Sequence, residues 1–418
     1  MAGLVLAGCG SPAPGAGALV LGAVYPLTGP QAAGGVDEFA GVRTAVALTN
    51  AAGGVQGRRV SLRPIDAPTA PTGVAAVDEL VRRQHVPAVL GSYSSVVSVA
   101  ASAEANKLRA VWWETGAVAD DVTARHLPYV FRTVAAGSNL GRMSARFTHD
   151  VLLPAWRLSP DQARVAVVYE GDVYGASVAA GALAEAQADG MPVVAQIRYD
   201  AGNVDPAAIA GQLAATHPDF LWDASYLSDG IAIWRAIVGS GLRLKGAIGT
   251  SSAFCMPEFG QQLGPLATGV FASDKADATI NRAALAPATR VVLDRARTLY
   301  VQQEHRDMSI SAIAGFVGAW SLLHDVLPRV HSFTPDAIRS AALAVDLPDG
   351  SEVNGAGLKF APAAASDAGQ NERAANVVWQ WQPGGQVVVY PRPYQTTESL
   401  MLTVPLRPAT TAPGSARS

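Results

Sequence analysis

The 418-residue sequence holds only two cysteines, Cys9 and Cys255, and seven histidines. So few thiols exclude a disulfide-stapled scaffold and a cysteine-rich zinc site. His85, His126, His149, His217, His305, His324 and His331 stand singly, without the spacing of a metal site or a catalytic triad. No phosphate-binding P-loop and no Gly-x-Gly-x-x-Gly fingerprint opens a helix after a strand, so phosphate cofactors lack a motif. The stretch "GSYSSV" (91–96) has three serines but no second glycine at the spacing of a nucleophile elbow, which argues against a serine hydrolase. The formal net charge is -3, with Lys and Arg scattered. That pattern excludes the electrostatic footprint of a nucleic-acid binder. No uninterrupted apolar run reaches the roughly 18 residues that a membrane-spanning helix needs, because Gly, Pro or a charge breaks each one.

What is present is 49% hydrophobic content, enough to bury a large core and, at this length, to divide it between two lobes. Short β-branched runs alternate with segments of helical period, the pattern of an α/β protein. "ALVLGAVYPL" reads as a strand. "VDEFAGVRTAVALTNAAGG" puts Phe39, Val42, Val46 and Thr49 on one helical face before two glycines stop it. "RRVSLRPIDA", "VPAVLGS" and "RAVWWET" follow as strands, with helices between them, and predict one parallel sheet. A second series starts after "YVFRTV". The runs "ARVAVVYEG", "PVVAQIRYD", "DFLWDASY" and "LKGAIGTS" alternate with helical stretches and predict a second parallel sheet. Two helical stretches at 284–305 and 309–327 come next, then a hairpin, "NVVWQWQPGGQVVVYP", turning at Pro383-Gly384-Gly385. From Thr396 the Thr, Pro, Ala and Ser content predicts a disordered tail.

Ligands of parallel α/β sheets settle at the carboxyl ends of strands. Two turns there stand out. "SYSSVV" offers a helix N-terminus with free N–H groups and the hydroxyls of Ser94 and Ser95, a seat for an anion or a carbonyl oxygen as well as a helix cap. "ETGAV" (114–118) follows the next strand and carries Glu114.

The N-terminal "LVLAGC" resembles the lipobox of bacterial lipoproteins. The resemblance implies cleavage before Cys9 and lipidation of its thiol, with "GSPAPGAGA" as a flexible tether off a membrane. Cys255 would then be a buried, unpaired thiol.

Over residues 19–392 the order and texture of the chain resemble the type I periplasmic solute-binding proteins, in the branched-chain amino acid-binding subfamily that serves ABC importers. The stretch "YPLTGPQAAGGVDEFAGVRTAVALTNAAGGVQGRRV" carries most of the likeness, with "GSYSSVVS", "VFRT", "DVYGAS" and "GLKF" after it. The resemblance implies two doubly wound lobes joined by a three-strand hinge, the Venus flytrap arrangement. Residues 1–18 would be signal remnant and tether, 19–132 with 272–354 the N-terminal lobe, 133–271 with 355–395 the C-terminal lobe, and 396–418 a tail. The chain would cross between lobes near Thr133, Ala272 and Gly355.

In function it implies an extracytoplasmic, lipid-anchored binding protein that hands a small ligand to ABC permease subunits. No cofactor, metal, nucleic acid or catalytic activity is implied. A sensing protein of the same fold, or an α/β hydrolase using a serine or Glu114, are the rival readings. Carried onto this chain, the resemblance gives Ser95 and the backbone at Ser94 the ligand's carboxylate, and adds contacts from Gly116 and Val118. Tyr174 and Tyr226 would close from the second lobe.

The amino acid binders also place an acid at the end of a second-lobe strand to pair with the ligand's ammonium. Here "AIGTSSAF" has Ser251 at that position. Glu114 or Asp223 would have to replace it, with Trp112 or Trp113 covering apolar ligand surface. Otherwise the ligand lacks an α-ammonium. The expected ligand is therefore a small amide, a urea-like compound or an atypical amino acid rather than leucine, isoleucine or valine.

Overall fold

The computed structural model describes residues 17–406. Cys9 and the stretch expected to be a lipobox lie outside the described residues, as do residues 407–418 of the expected tail.

The chain begins β1 (Leu19–Tyr25), α1 (Ala32–Ala51), β2 (Val60–Asp66), α2 (Ala70–Asp78), β3 (Ala88–Gly91), α3 (Ser95–Lys107), β4 (Val111–Glu114) and β5 (Val130–Arg132). The five strands form a parallel sheet of order β2-β1-β3-β4-β5, so all their carboxyl ends share one edge. The run around Val130, after which the second series was expected to start, is the fifth strand of this first sheet.

The second series continues with α4 (Gly137–Phe147), α5 (Leu153–Trp156), β6 (Val165–Glu170), α6 (Val173–Ala188), β7 (Val193–Tyr199), α7 (Pro206–Thr216) and β8 (Phe220–Ala224). After it come α8 (Leu227–Ser240), β9 (Gly246–Thr250), α9 (Pro257–Leu263) and β10 (Phe271–Lys275). The chain then returns to the first lobe with α10 (Pro287–Glu304), α11 (Ile310–Trp320) and α12 (Pro335–Ala344). A two-residue ribbon, β11 (Asp346–Leu347) with β12 (Leu358–Lys359), precedes the hairpin of β13 (Asn376–Gln382) and β14 (Gly385–Tyr390). The hairpin pairs antiparallel with β10 and finishes a seven-stranded sheet of order β14-β13-β10-β9-β8-β6-β7.

Helix α1 buries the expected face, Phe39, Val42, Val46 and Thr49, and also Gly34, Gly35, Asp37, Glu38, Ala40, Gly41, Thr44 and Ala45. The cause is α11, which crosses it at glycine contacts. A Cβ on Gly41 would lie 1.9 Å from the Ala312 carbonyl oxygen, and one on Gly315 would lie 1.9 Å from that of Glu38. Backbones this close leave no room for side chains, and they press Glu38 into the interior. The helix from Ile310 to Arg329 is long and apolar enough to cross a membrane, with a mean hydropathy of 1.5, but 83% of that stretch is buried. An all-apolar circumference is what a core helix requires.

The boundaries of the crossovers differ from the sequence reading. Ala272 lies inside β10, which pairs with β9 and β13, so the second crossing follows Lys275. Residues 358–371 stay beside β5: Arg132 N donates to the Gly369 carbonyl at 2.9 Å, and Asn371 N to that of Arg132 at 2.9 Å. The third crossing therefore runs from Asn371 to β13, not near Gly355. The three crossovers bond to one another. Asn371 Nδ2 donates to the Thr133 carbonyl at 3.0 Å, and Ala276 N to that of Ala375 at 3.0 Å.

The tail expected from Thr396 onward is ordered through its described part. Val404 is fully buried and exchanges two backbone hydrogen bonds with Leu244. The apolar Leu402 and Val404 bury against the second lobe, which outweighs the polar composition around them.

Candidate ligand-binding cleft

The first-lobe wall of the cleft is organised by a carboxylate. Glu114 ends β4, is fully buried, and accepts from five donors. These are the backbone N–H groups of Ser92 at 2.9 Å, Gly116 at 2.9 Å and Ala117 at 2.7 Å, the indole of Trp112 at 3.0 Å, and the hydroxyl of Ser98. Donors from both turns, 91–95 and 114–118, thus converge on one side chain. Burial nonetheless pushes the Glu114 carboxyl up to about 7, against the lowering by these hydrogen bonds.

Beside it, Ser94 caps α3 and Ser95 occupies the first turn, its hydroxyl oxygen accepting from Ala119 N at 3.1 Å. Gly116 lies directly against Glu38: a Cβ there would stand 1.7 Å from Glu38 Oε2. Glu38 Oε1 accepts from Thr115 Oγ1 at 2.6 Å, whereas Oε2 has no partner. Burial, then the nearby Glu114, raise the Glu38 carboxyl to about 8.

The second-lobe wall is made of side chains. Asp172 caps α6 by accepting from Tyr174 N and Gly175 N, and its other oxygen takes the Tyr226 hydroxyl at 2.5 Å. The Tyr174 hydroxyl pairs with Thr250 Oγ1 at 3.0 Å, and the two rings pack with centroids 5.2 Å apart. Lys275, at the end of β10 and 3% exposed, donates to Ser251 Oγ at 3.2 Å and Asp274 Oδ1 at 3.3 Å.

Between the walls lies a narrow, partly open pocket, too tight in this arrangement to admit a water-sized sphere. It is lined by Tyr93, Ser95, Gly116 and Val118 from the first lobe and by Tyr174, Tyr226, Ser251, Ser252 and Lys275 from the second. Of the residues expected at a ligand site, Ser95, Gly116, Val118, Tyr174, Tyr226 and Ser251 are brought together. Ser94 is not among the lining residues; its hydroxyl caps Val97 N.

Glu114 also lies outside the lining, which corrects its expected part as an ammonium partner. All five donors are internal, and the side chain braces the turns from behind instead of lining the cavity. Asp223 is corrected for a different reason. It borders a separate space against α4 and α6, accepts from Ser225 Oγ, and is pushed up to about 7 by burial. Trp112 and Trp113 are both fully buried, their indoles bonded to Glu114 and to the Gly318 carbonyl, so neither covers the cavity.

Tyr93, Ser252 and Lys275 are the lining residues that sequence reasoning passed over. Tyr93 sits inside the quoted serine turn, yet a lone tyrosine there carries no signal of direction. Lys275 ends a strand run, "GVFASDKA", and a charge at that place was the available clue. Among the described residues, no group of three or more His, Cys, Asp or Glu side chains is placed to hold a metal ion.

Residues 19–386 match the periplasmic binding protein family. The chain belongs to that family. This periplasmic binding protein is 31% identical over 371 residues to a Leu/Ile/Val-binding protein homolog of Brucella abortus, covering 88% of this chain and 90% of the relative. Among solved structures, a leucine-binding protein from Thermotoga maritima superposes with a TM-score of 0.75 at 17% identity, covering 89% of this chain and 98% of the other. A branched-chain amino acid substrate-binding protein from Streptococcus pneumoniae in complex with isoleucine gives 0.73 at 19% identity, over 90% and 100% of the two chains. A solute-binding protein of R. palustris in complex with benzoate gives 0.72 at 18% identity, over 92% and 99%. The two parallel-sheet lobes of this periplasmic binding protein are thus the architecture of that fold.

Proposed function

We propose that this periplasmic binding protein is the extracytoplasmic ligand-capturing component of an ABC-type importer. It would take a small amino acid-like, amide or carboxylate ligand between its lobes and deliver it to permease subunits. The observation that carries the reading is the cavity lined from both lobes, at the carboxyl ends of β3, β4, β6, β8, β9 and β10. A ligand there touches both walls at once, so it favours the closed arrangement by its differential affinity for it. The ligands named for the solved relatives, isoleucine and benzoate, share a carboxylate with a compact apolar skeleton, which suits a hydroxyl-bearing helix start facing tyrosine rings. Cys9 would tether the protein to the outer face of the cell membrane by its lipid.

The turns support binding over catalysis. Ser95 Oγ accepts from the Ala119 amide and Ser94 Oγ from the Val97 amide, so neither hydroxyl bonds a general base.

Thermal-shift screening of amino acids, short amides and aromatic carboxylates will identify ligands, and small-angle scattering will then read closure. Compaction at saturation is expected, and Tyr174→Ala should lose affinity and compaction together. An unchanged radius with saturating ligand refutes the hinge. Incorporation of labelled palmitate at Cys9 tests the anchor, and adjacent genes for permeases and ATPases would separate transport from sensing.

A further inference from the structure

A cation, Lys275, lines the cleft beside Ser251, where an amino acid's ammonium calls for an acid. Family amino acid binders, which the sequence resembles, place an acid at the position of Ser251 to receive the ligand's ammonium. Here Ser251 Oγ instead accepts from Lys275 Nζ at 3.2 Å. An ammonium has three donors, and Ser251 and Asp274 take two of them. One is left for an occupant of the cavity that Lys275 lines. A ligand α-ammonium in the same place would set two like charges close together where water is largely excluded, an unfavourable arrangement.

The nearby acids do not reverse this. Asp274 Oδ1 is already engaged by both the backbone N–H and Nζ of Lys275, and although its Oδ2 has no partner, Asp274 is not a lining residue of the cavity. Glu114 and Asp223 are turned to other partners, as described above. Glu38 is the other competitor, because its Oε2 also lacks a partner. Gly116 stands between that oxygen and the cavity: Gly116 is a lining residue and Glu38 is not.

Resting on the cleft reading above, we infer that the ligand is a small carboxylate with an oxygen acceptor where an amino acid carries its ammonium, a 2-oxo acid or its hydroxy counterpart. Lys275 is the residue that selects it. The carboxylate sits at Ser95 and the first-turn N–H groups of α3, and the neighbouring oxygen accepts the free donor of Lys275. Tyr93, Tyr174 and Val118 contain the hydrocarbon part.

The test is calorimetry on the purified protein with matched pairs: 4-methyl-2-oxopentanoate against leucine, phenylpyruvate against phenylalanine, and 2-oxoglutarate against glutamate, with isobutyramide and benzamide alongside. At least one oxo acid is expected to bind about 100-fold more tightly than its amino acid, and Lys275→Gln should shrink that ratio below about tenfold. Ser251→Asp, which keeps the lysine and adds the missing acid, should move preference toward the amino acid; it serves equally if Lys275→Gln does not fold. An amino acid or amide that binds as tightly as the oxo acids overturns the inference. So does a panel in which no oxo acid binds, or a ratio that neither variant moves. Amino acid binding abolished by Glu38→Gln overturns it and identifies Glu38 as the ammonium partner. In each case Ser95→Trp and Val118→Trp, which fill the cavity, tell the two failures apart. Binding abolished by either keeps the cleft and rejects only the ligand class, whereas binding that survives both rejects the cleft itself.

Discussion

The two walls of the cleft are built by different means. On the first lobe the surface is, apart from the Tyr93 ring, backbone and small side chains, Ser95, Gly116 and Val118, with the turns held in shape from behind by one buried carboxylate. On the second lobe it is made of long side chains, Tyr174, Tyr226 and Lys275, that brace one another through Asp172, Thr250 and Ser251. A wall of the first kind is sensitive to its support. A wall of the second kind is sensitive to its own members, and it is where ligand chemistry can change without altering the fold.

The sharpest way to break the contrast is Glu114→Ala, which strands five buried donors. It should lower the free energy of unfolding by about 3 kcal/mol or more, measured by urea denaturation. A loss under about 1 kcal/mol would mean that the turns hold themselves.

A second effect is read in pH. Glu38, whose carboxyl rises from 4.5 to about 8 on folding, binds its proton more tightly in the folded protein than in the unfolded chain. Its contribution is therefore fully present below about 4.5 and lost as pH rises toward 8, with Glu114 acting in the same direction up to about 7. Melting temperature should fall between pH 5 and 8.5, and Glu38→Gln should flatten the upper part of that slope. A slope unchanged by the substitution would place the burden on other acids.

Ser95→Ala should cost about 1–3 kcal/mol in ligand affinity while leaving the melting temperature nearly constant, because its one internal bond is to a single amide. Calorimetry with unchanged affinity would remove Ser95 from the site. Tyr226→Phe is the mildest change. It deletes the bond to Asp172 but leaves the cap of α6 intact, so about 1 kcal/mol of stability is expected to go; a larger loss would show that the second wall is as cooperative as the first.

The same contrast explains what was legible in the sequence. Alternating strand and helix runs disclosed both sheets, since hydrophobic period is a local property. The serine turn and "ETGAV" marked the first wall for the same reason: both are short contiguous motifs at strand ends. Tyr174 and Tyr226 were reached through family resemblance. Lys275 was missed because its meaning depends on Ser251, 24 residues away and just past the end of the neighbouring strand. Glu114 was misassigned because sequence shows that an acid ends a strand but not which way its donors lie. The crossover positions shifted because pairing within the first lobe, Arg132 with Gly369 and Asn371, joins residues more than 200 apart in the chain.

Strand β1 lies within the first sheet, while Val404 is stitched to Leu244 in the second lobe. The described chain therefore enters through one jaw and leaves through the other. Any relative motion of the jaws is also a motion of residue 17 against residue 406. A donor and acceptor fluorophore fused at those two points would report ligand capture as a change in energy transfer, with no label inside the cleft. The chain's own threading makes it a ready two-point optical gauge.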